Sequence, residues 1–104
     1  MEINKSDWKL FREKVPIWQE RYMEQLIGDY MTLLRSGEKA SDKFWALEER
    51  INQDRRRPGV ILAMSKSNVI PNIVSFIHDQ VITIDDLHDF SDDFQNTVSF
   101  FVNR

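Results

Sequence analysis

A chain of 104 residues, 41% of them hydrophobic and twelve of them aromatic, carries enough apolar material to fold as one domain, residues 1–104, around its own core. With no cysteine it can make no disulfide, no thiolate nucleophile and no thiolate-held zinc site. Its longest apolar run, Val60 to Met64, falls far short of the roughly 20 residues of a membrane span. MEINKSDW has neither the basic start nor the apolar stretch of a signal peptide, so a soluble, cytoplasmic protein is expected.

The net charge of −3 is unevenly spread: residues 1–57 hold twelve Lys/Arg against eleven Asp/Glu, and residues 58–104 hold two against six. Such an imbalance marks either a partner-binding face or two halves that face each other.

Ser6 followed by Asp7 forms a helix start, a serine oxygen being able to take an orphan N–H of the first turn. From there Trp8, Phe11, Val15, Trp18, Tyr22, Leu26, Tyr30, Leu33 and Leu34 recur at threes and fours, one apolar stripe on a helix. Met23 and Met31 lie on a neighbouring strip. Pro16 interrupts, because proline removes the bond to residue 12 and crowds its carbonyl. Unbroken from Asp7 to Arg35, the helix would run about 43 Å, whereas a compact chain of this size is about 33 Å across. Either the helix kinks at Pro16 or it overhangs and meets a partner; the kink is the expectation.

RSGEKAS breaks the pattern at Gly37, and Ser41 opens a second helix with Phe44, Trp45, Leu47 and Ile51 as its apolar residues and Glu48, Glu49, Arg50 and Asn52 solvated. It ends in DRRRPG, where cations suit the negative end of the helix dipole and Pro-Gly stops the chain. Val60 to Met64 has no second strand to pair with, so it reads as loop or helix. NVIPNIVSFIHD is a further helix with Val69, Ile70, Ile73, Phe76 and Ile77 on one side and Pro71 in a tolerated first-turn position. Thr83 with Asp86 approximates a capping box for a short helix through His88, and Ser91 caps a last helix that turns Phe94, Val98 and Phe101 inward. The whole is an all-α single domain of about five helices, in an orthogonal array or bundle.

Site chemistry is sparse. SFIHDQVITIDDLHDFSDD, Ser75 to Asp93, has the look of half an EF-hand calcium loop. With Asp86 in the last ligand position, however, the first and third ligands fall on Ser75 and Ile77 and the required glycine is Gln80. Asp79 and Thr83 are then the other donors, against six to eight oxygens needed. Asp85, Asp86, Asp92 and Asp93 read better as first-turn carboxylates at helix ends. His78 and His88, with Asp79, Asp85, Asp86 and Asp89, could compose a transition-metal site, but they lack the i,i+4 spacing of a helical pair. Glycines stand only at 28, 37 and 59, so no phosphate-cradling loop exists, and no nucleophile motif appears. No catalytic residue, metal or cofactor is expected.

Two binding surfaces remain. Trp8, Trp18, Tyr22 and Tyr30 make the first helix more aromatic than a core stripe needs, and such rings are preferred interface anchors. Met23 and Met31 would add adaptable contact. Arg55, Arg56 and Arg57 could instead contact phosphates, although Asp54 precedes them and the sequence pI is about 5.3.

Through Phe44-Trp45, Leu47-Glu48, Arg50-Ile51, Asp54, Pro58-Gly59 and the run Ile82-Thr83, Asp85-Asp86-Leu87, Phe90-Ser91, the chain resembles a group of short uncharacterised bacterial all-helical proteins. The resemblance is fuller from Lys43 onward than before it. Some of these proteins carry a multidrug-transporter label, which a chain without a membrane-length apolar stretch does not fit. The resemblance brings no functional residues with it. The sequence therefore points to a non-catalytic protein acting through protein–protein contact or self-association, possible as a homodimer, with nucleic-acid binding through Arg55–Arg57 as the alternative.

Overall fold

The computed structural model describes residues 2–103. Four α-helices carry the chain: α1 (Lys5–Leu34), α2 (Ala40–Asp54), α3 (Val69–His78) and α4 (Asp92–Val102). Short 3-10 turns at Lys66–Asn68 and Ile84–Leu87 join them, and there is no strand among the described residues. The expected fifth helix, Thr83 to His88, is the second of these turns. Its Thr83 N–H does donate to Asp86 Oδ2 at 2.8 Å as a capping box requires. The next cap, Ser91, comes too soon for an α-helical turn to propagate.

The expected kink does not end the helix. α1 runs as one 30-residue helix across Pro16, about 45 Å at the usual rise. The long axis of the molecule is 52 Å against 23 and 21 Å, and the Cα radius of gyration is 16.5 Å, where a compact chain would show about 13 Å. Pro16 lies on the solvent side of the helix, where its ring is exposed, while Phe11, Val15 and Trp18 are buried.

The core gathers under the first two thirds of α1. Phe11, Val15, Trp18, Tyr22 and Leu26 meet Val69, Ile70, Ile73 and Phe76 of α3, Val81, Ile82, Leu87 and Phe90 of the connecting turn, and Phe94 and Val98 of α4. Trp18 sits edge-on to Phe76 at 6.1 Å, and Phe90 stacks on Phe94 at 4.4 Å. Phe101, expected to point inward with Phe94 and Val98, is 44% exposed. Val60 turns back toward the core and residues 61–65 have no regular structure, the loop alternative.

The helix ends show how polar groups lock this arrangement. Asn4, not Ser6, caps α1, its Oδ1 accepting from the Asp7 N–H at 2.7 Å. Asp7 is thereby turned inward, 2% exposed, and its carboxylate accepts from the Ser91 N–H at 3.0 Å and from the Ser91 hydroxyl at 2.6 Å. That same Ser91 oxygen accepts from the Phe94 N–H at 3.3 Å, so the expected cap of α4 is also the clasp between the two ends of the chain. α2 starts at Ala40 after an uncapped Lys39, one residue before the expected Ser41. At the end of α3, the Val81 N–H reaches the Phe76 carbonyl at 2.8 Å and the Gln80 N–H the Ile77 carbonyl at 3.1 Å, with Gln80 at φ 62°. This Schellman closure puts a non-glycine residue in the left-handed region, and it accounts for the EF-hand look of the segment.

Candidate functional site

Past Leu26, α1 outruns the core, and α2 is the helix that lies beside it. The two helices form a hairpin whose inner seam is partly polar. The Tyr30 hydroxyl donates to Asp54 Oδ2 at 2.6 Å, and Arg50 approaches Asp29 at 4.0 Å. Burial first, and then this hydrogen bond, push the Tyr30 hydroxyl up to about 12, so it remains a donor across the neutral range. At the hairpin's root Arg57 bridges the two regions, its Nη1 2.8 Å from Asp79 Oδ1 on the α3 side and its Nε 3.3 Å from Asp54 Oδ1. The Asp79 carboxylate is the main cause of a raised Arg57 pKa. Gly59 lets the loop lie on the Tyr22 ring, since a β-carbon there would fall 2.7 Å from Cε2.

The hairpin leaves large apolar side chains in solvent. On α1 these are Met23, Ile27, Met31 and Leu34, and on α2 Phe44, Trp45 and Ile51, between 40 and 62% exposed. Phe44 and Trp45 pack edge to face on each other at 4.8 Å. Met23, Leu26, Ile27, Tyr30, Ile51 and Val60 line one crevice of about 230 Å³ between the helices, which places Ile27 and Ile51 on the same side of the hairpin. A second apolar cleft, about 520 Å³, lies at the opposite end among Ile3, Ile70, Pro71, Val74 and Phe101.

Of the aromatic anchors suggested by the sequence, Trp18 and Tyr22 belong to the core, 3 and 8% exposed, and offer no free surface. Trp8 is half-buried, stacked on Phe11 at 6.0 Å, with the Arg12 guanidinium over its ring at 5.1 Å. Tyr30 is half-buried and tied to Asp54. Conversely Phe44, Trp45 and Ile51, read as the inner stripe of α2, lie outside; α2 buries Asp54 alone. Met23 and Met31 are exposed, and so are Ile27 and Leu34. The signal for them was present: from Tyr22 to Leu34 apolar residues occur on two sides of α1, more than one neighbour can cover.

The arginine run is divided. All three are exposed; Arg57 is engaged with two carboxylates, while Arg55 and Arg56 have no ion pair among the described residues. The acidic residues are likewise dispersed into separate partnerships. Asp79 meets Arg57, and Asp89 meets Lys14 at 3.4 Å. Asp86 meets Arg21 at 3.1 Å. Against a desolvation that raises it, the Thr83 N–H and then Arg21 hold the Asp86 carboxyl below its ordinary value. His88 Nδ1 lies 2.9 Å from the Asp85 carbonyl and its Nε2 3.3 Å from Asp89. Among the described residues no three His, Asp or Glu side chains gather as a metal-holding group, and no helix is long and apolar enough to cross a membrane. No family model, no curated protein and no solved structure matches the chain.

Proposed function

We propose that this protein works through protein–protein contact made by the α1–α2 hairpin, as a small cytoplasmic interaction or regulatory protein without catalytic activity. The observation that supports it is the concentration of exposed Met, Ile, Leu, Phe and Trp side chains on one protruding two-helix element. Single exposed apolar residues need no explanation, but a contiguous patch of several hundred Å² is uncommon on a monomer and marks contact surface. Methionine contributes adaptability and the Phe44–Trp45 pair a rigid anchor. The likeness to short bacterial helical proteins belongs to the same proposal, since their shared Phe44-Trp45 and Arg50-Ile51 lie on this element.

Site-specific photo-crosslinking in the native cell tests the reading. A photoreactive residue at position 44 is expected to trap a defined protein adduct, whether another protein or another copy, and the same residue at exposed Glu13 is not. No adduct at 44, or identical adducts from both positions, would remove the hairpin from the function. The phosphate-contact alternative has two arginines without an ion pair left to it, Arg55 and Arg56, for which duplex DNA binding would show a salt slope of only about −1.8.

A further inference from the structure

We infer that the partner of the hairpin is a second copy of this chain, laid face to face on the side that carries Ile27, Leu34, Phe44 and Ile51. The inference rests on the interaction reading above and names its occupant. Three observations converge on it: which residues share that face, how much apolar area they offer, and where its free charges stand.

Met23, Ile27 and Ile51 line one crevice, and so open on the same side of the hairpin. Leu34 stands seven residues after Ile27, and Phe44 seven before Ile51. Seven residues are two turns of helix less about 20°, so Leu34 and Phe44 extend the same two strips toward the hairpin tip. Met31 lies at the edge of this face, and Trp45, about 100° round α2 from Phe44, lies outside it.

The five side chains of the two strips are 40–62% exposed. At roughly 200 Å² each when free, they present on the order of 500 Å² of apolar surface. A stable interface takes ~800 Å² from each partner, about 60% of it apolar. This face therefore has the area and the make-up of one side of a dimer.

On α2 the strip also carries Glu48 and Arg55, three residues before Ile51 and four after it. Both are exposed, and neither has an ion-pair partner among the described residues. When α2 meets α2 of the second copy antiparallel at Ile51, Glu48 of each stands opposite Arg55 of the other, twice by symmetry. Parallel pairing would set Glu48 against Glu48 and Arg55 against Arg55. α1 gives the same axis independently. Tyr30 reaches both Arg50 and Asp54, which sets it level with Ile51–Asn52. Ile27 and Leu34 stand three residues before Tyr30 and four after it. The same two-fold thus lays Ile27 of each copy on Leu34 of the other, and carries Phe44 to the level of the other copy's Met23. Symmetry of both helices about one level is what a second copy requires and a foreign partner does not.

Sedimentation velocity of the full chain across the micromolar range tests this, with far-UV circular dichroism to confirm that each variant folds. The expected species has twice the 12.4 kDa chain mass. Ile27→Asp, at a position exposed in the single chain, should keep the fold and raise the dissociation constant roughly thirtyfold or more, as loss of a central anchor does. Arg55→Glu should weaken the dimer about tenfold, and adding Glu48→Arg should restore it. Glu49→Lys, exposed on the side of α2 opposite Ile51, should leave it unchanged. A chain monomeric throughout the range, a dimer indifferent to Ile27→Asp, or one weakened as much by Glu49→Lys, overturns the inference. A dimer that Arg55→Glu leaves unchanged, or weakens without rescue by Glu48→Arg, overturns the antiparallel register. Failure of the broader reading looks different: a monomer that still traps a foreign protein from position 44 leaves protein contact standing, and one that traps nothing there ends both.

Discussion

α1 passes through two environments, and its two halves invite comparison. Toward its start, Phe11, Val15 and Trp18 are sealed under α3, the Ile84–Leu87 turn and α4. Toward its end, Ile27, Met31 and Leu34, equally apolar, stand in solvent beside α2. The same helical periodicity thus yields core in one half and surface in the other. What differs is the number of elements within reach. The first half has three neighbours contributing Val, Ile, Leu and Phe, and the second has one neighbour whose inner side carries Asp54 and Arg50. Hydrophobic pattern states which residues want cover; the number of neighbours states which of them receive it.

The largest expected contrast comes from truncating the core. Phe76→Ala, at a fully buried ring edge-on to Trp18, should cost about 3–5 kcal/mol in urea unfolding. A loss below about 1 kcal/mol would mean that the α3 side is no better packed than the hairpin.

Ser91→Ala comes next, at about 2–3 kcal/mol. It removes a helix cap and also one of the hydrogen bonds of the buried Asp7 carboxylate, and the two losses combine. An effect near 1 kcal/mol, that of a cap alone, would show that the clasp between α1 and α4 adds nothing.

At the seam between the regions, Gly59→Ala should destabilise by about 1–2 kcal/mol as the Tyr22 ring and the loop move apart. An unchanged midpoint would show that the hairpin root is loosely joined to the core.

Asp86 ties the Thr83 turn to α1 through Arg21. Its pKa is lowered in the folded chain, so the folded state binds its proton less readily than the unfolded one. The associated stability is present above the unfolded value of about 3.9 and is lost as pH falls through the folded value. Asp86→Asn should therefore flatten the decline of the urea midpoint between neutral pH and about pH 3. Equal slopes for the two proteins would deny the carboxylate that role.

The smallest effect is expected at Trp45. At 61% exposure, Trp45→Ala in the single chain should change stability by less than about 1 kcal/mol, although it removes the largest side chain of α2. A core-sized loss would require Trp45 to be buried, and would erase the division between the two halves of the molecule.

Local chemistry is where the sequence read most truly. Ser91 followed by Asp92 and Asp93 starts α4, Pro71 sits in the first turn of α3, and Gly37 and Pro58-Gly59 separate the elements, because a cap or a break depends on a few adjacent residues. The Thr83–Asp86 signal was present in its hydrogen bond but closed a 3-10 turn, since a cap does not set how far a helix propagates. The aromatic anchors were the less legible part. Trp18 and Trp45 both fall on apolar stripes at helical spacing, and only the packing of α3 and α4 onto one of them separates core from surface.

By itself, then, the sequence determined that this protein is helical, where its main breaks fall, and which faces are apolar, all of them consequences of bonding and sterics within a few residues. Only the tertiary structure decided that α1 continues past Pro16, that Asp7 turns inward to Ser91, that Arg57 is held by Asp54 and Asp79, and that the hairpin's apolar face stays uncovered within the chain. Those outcomes depend on residues as far apart as Asp7 and Ser91. Side chains distant along the chain become neighbours only when helices pack, and no local pattern encodes which of them will meet.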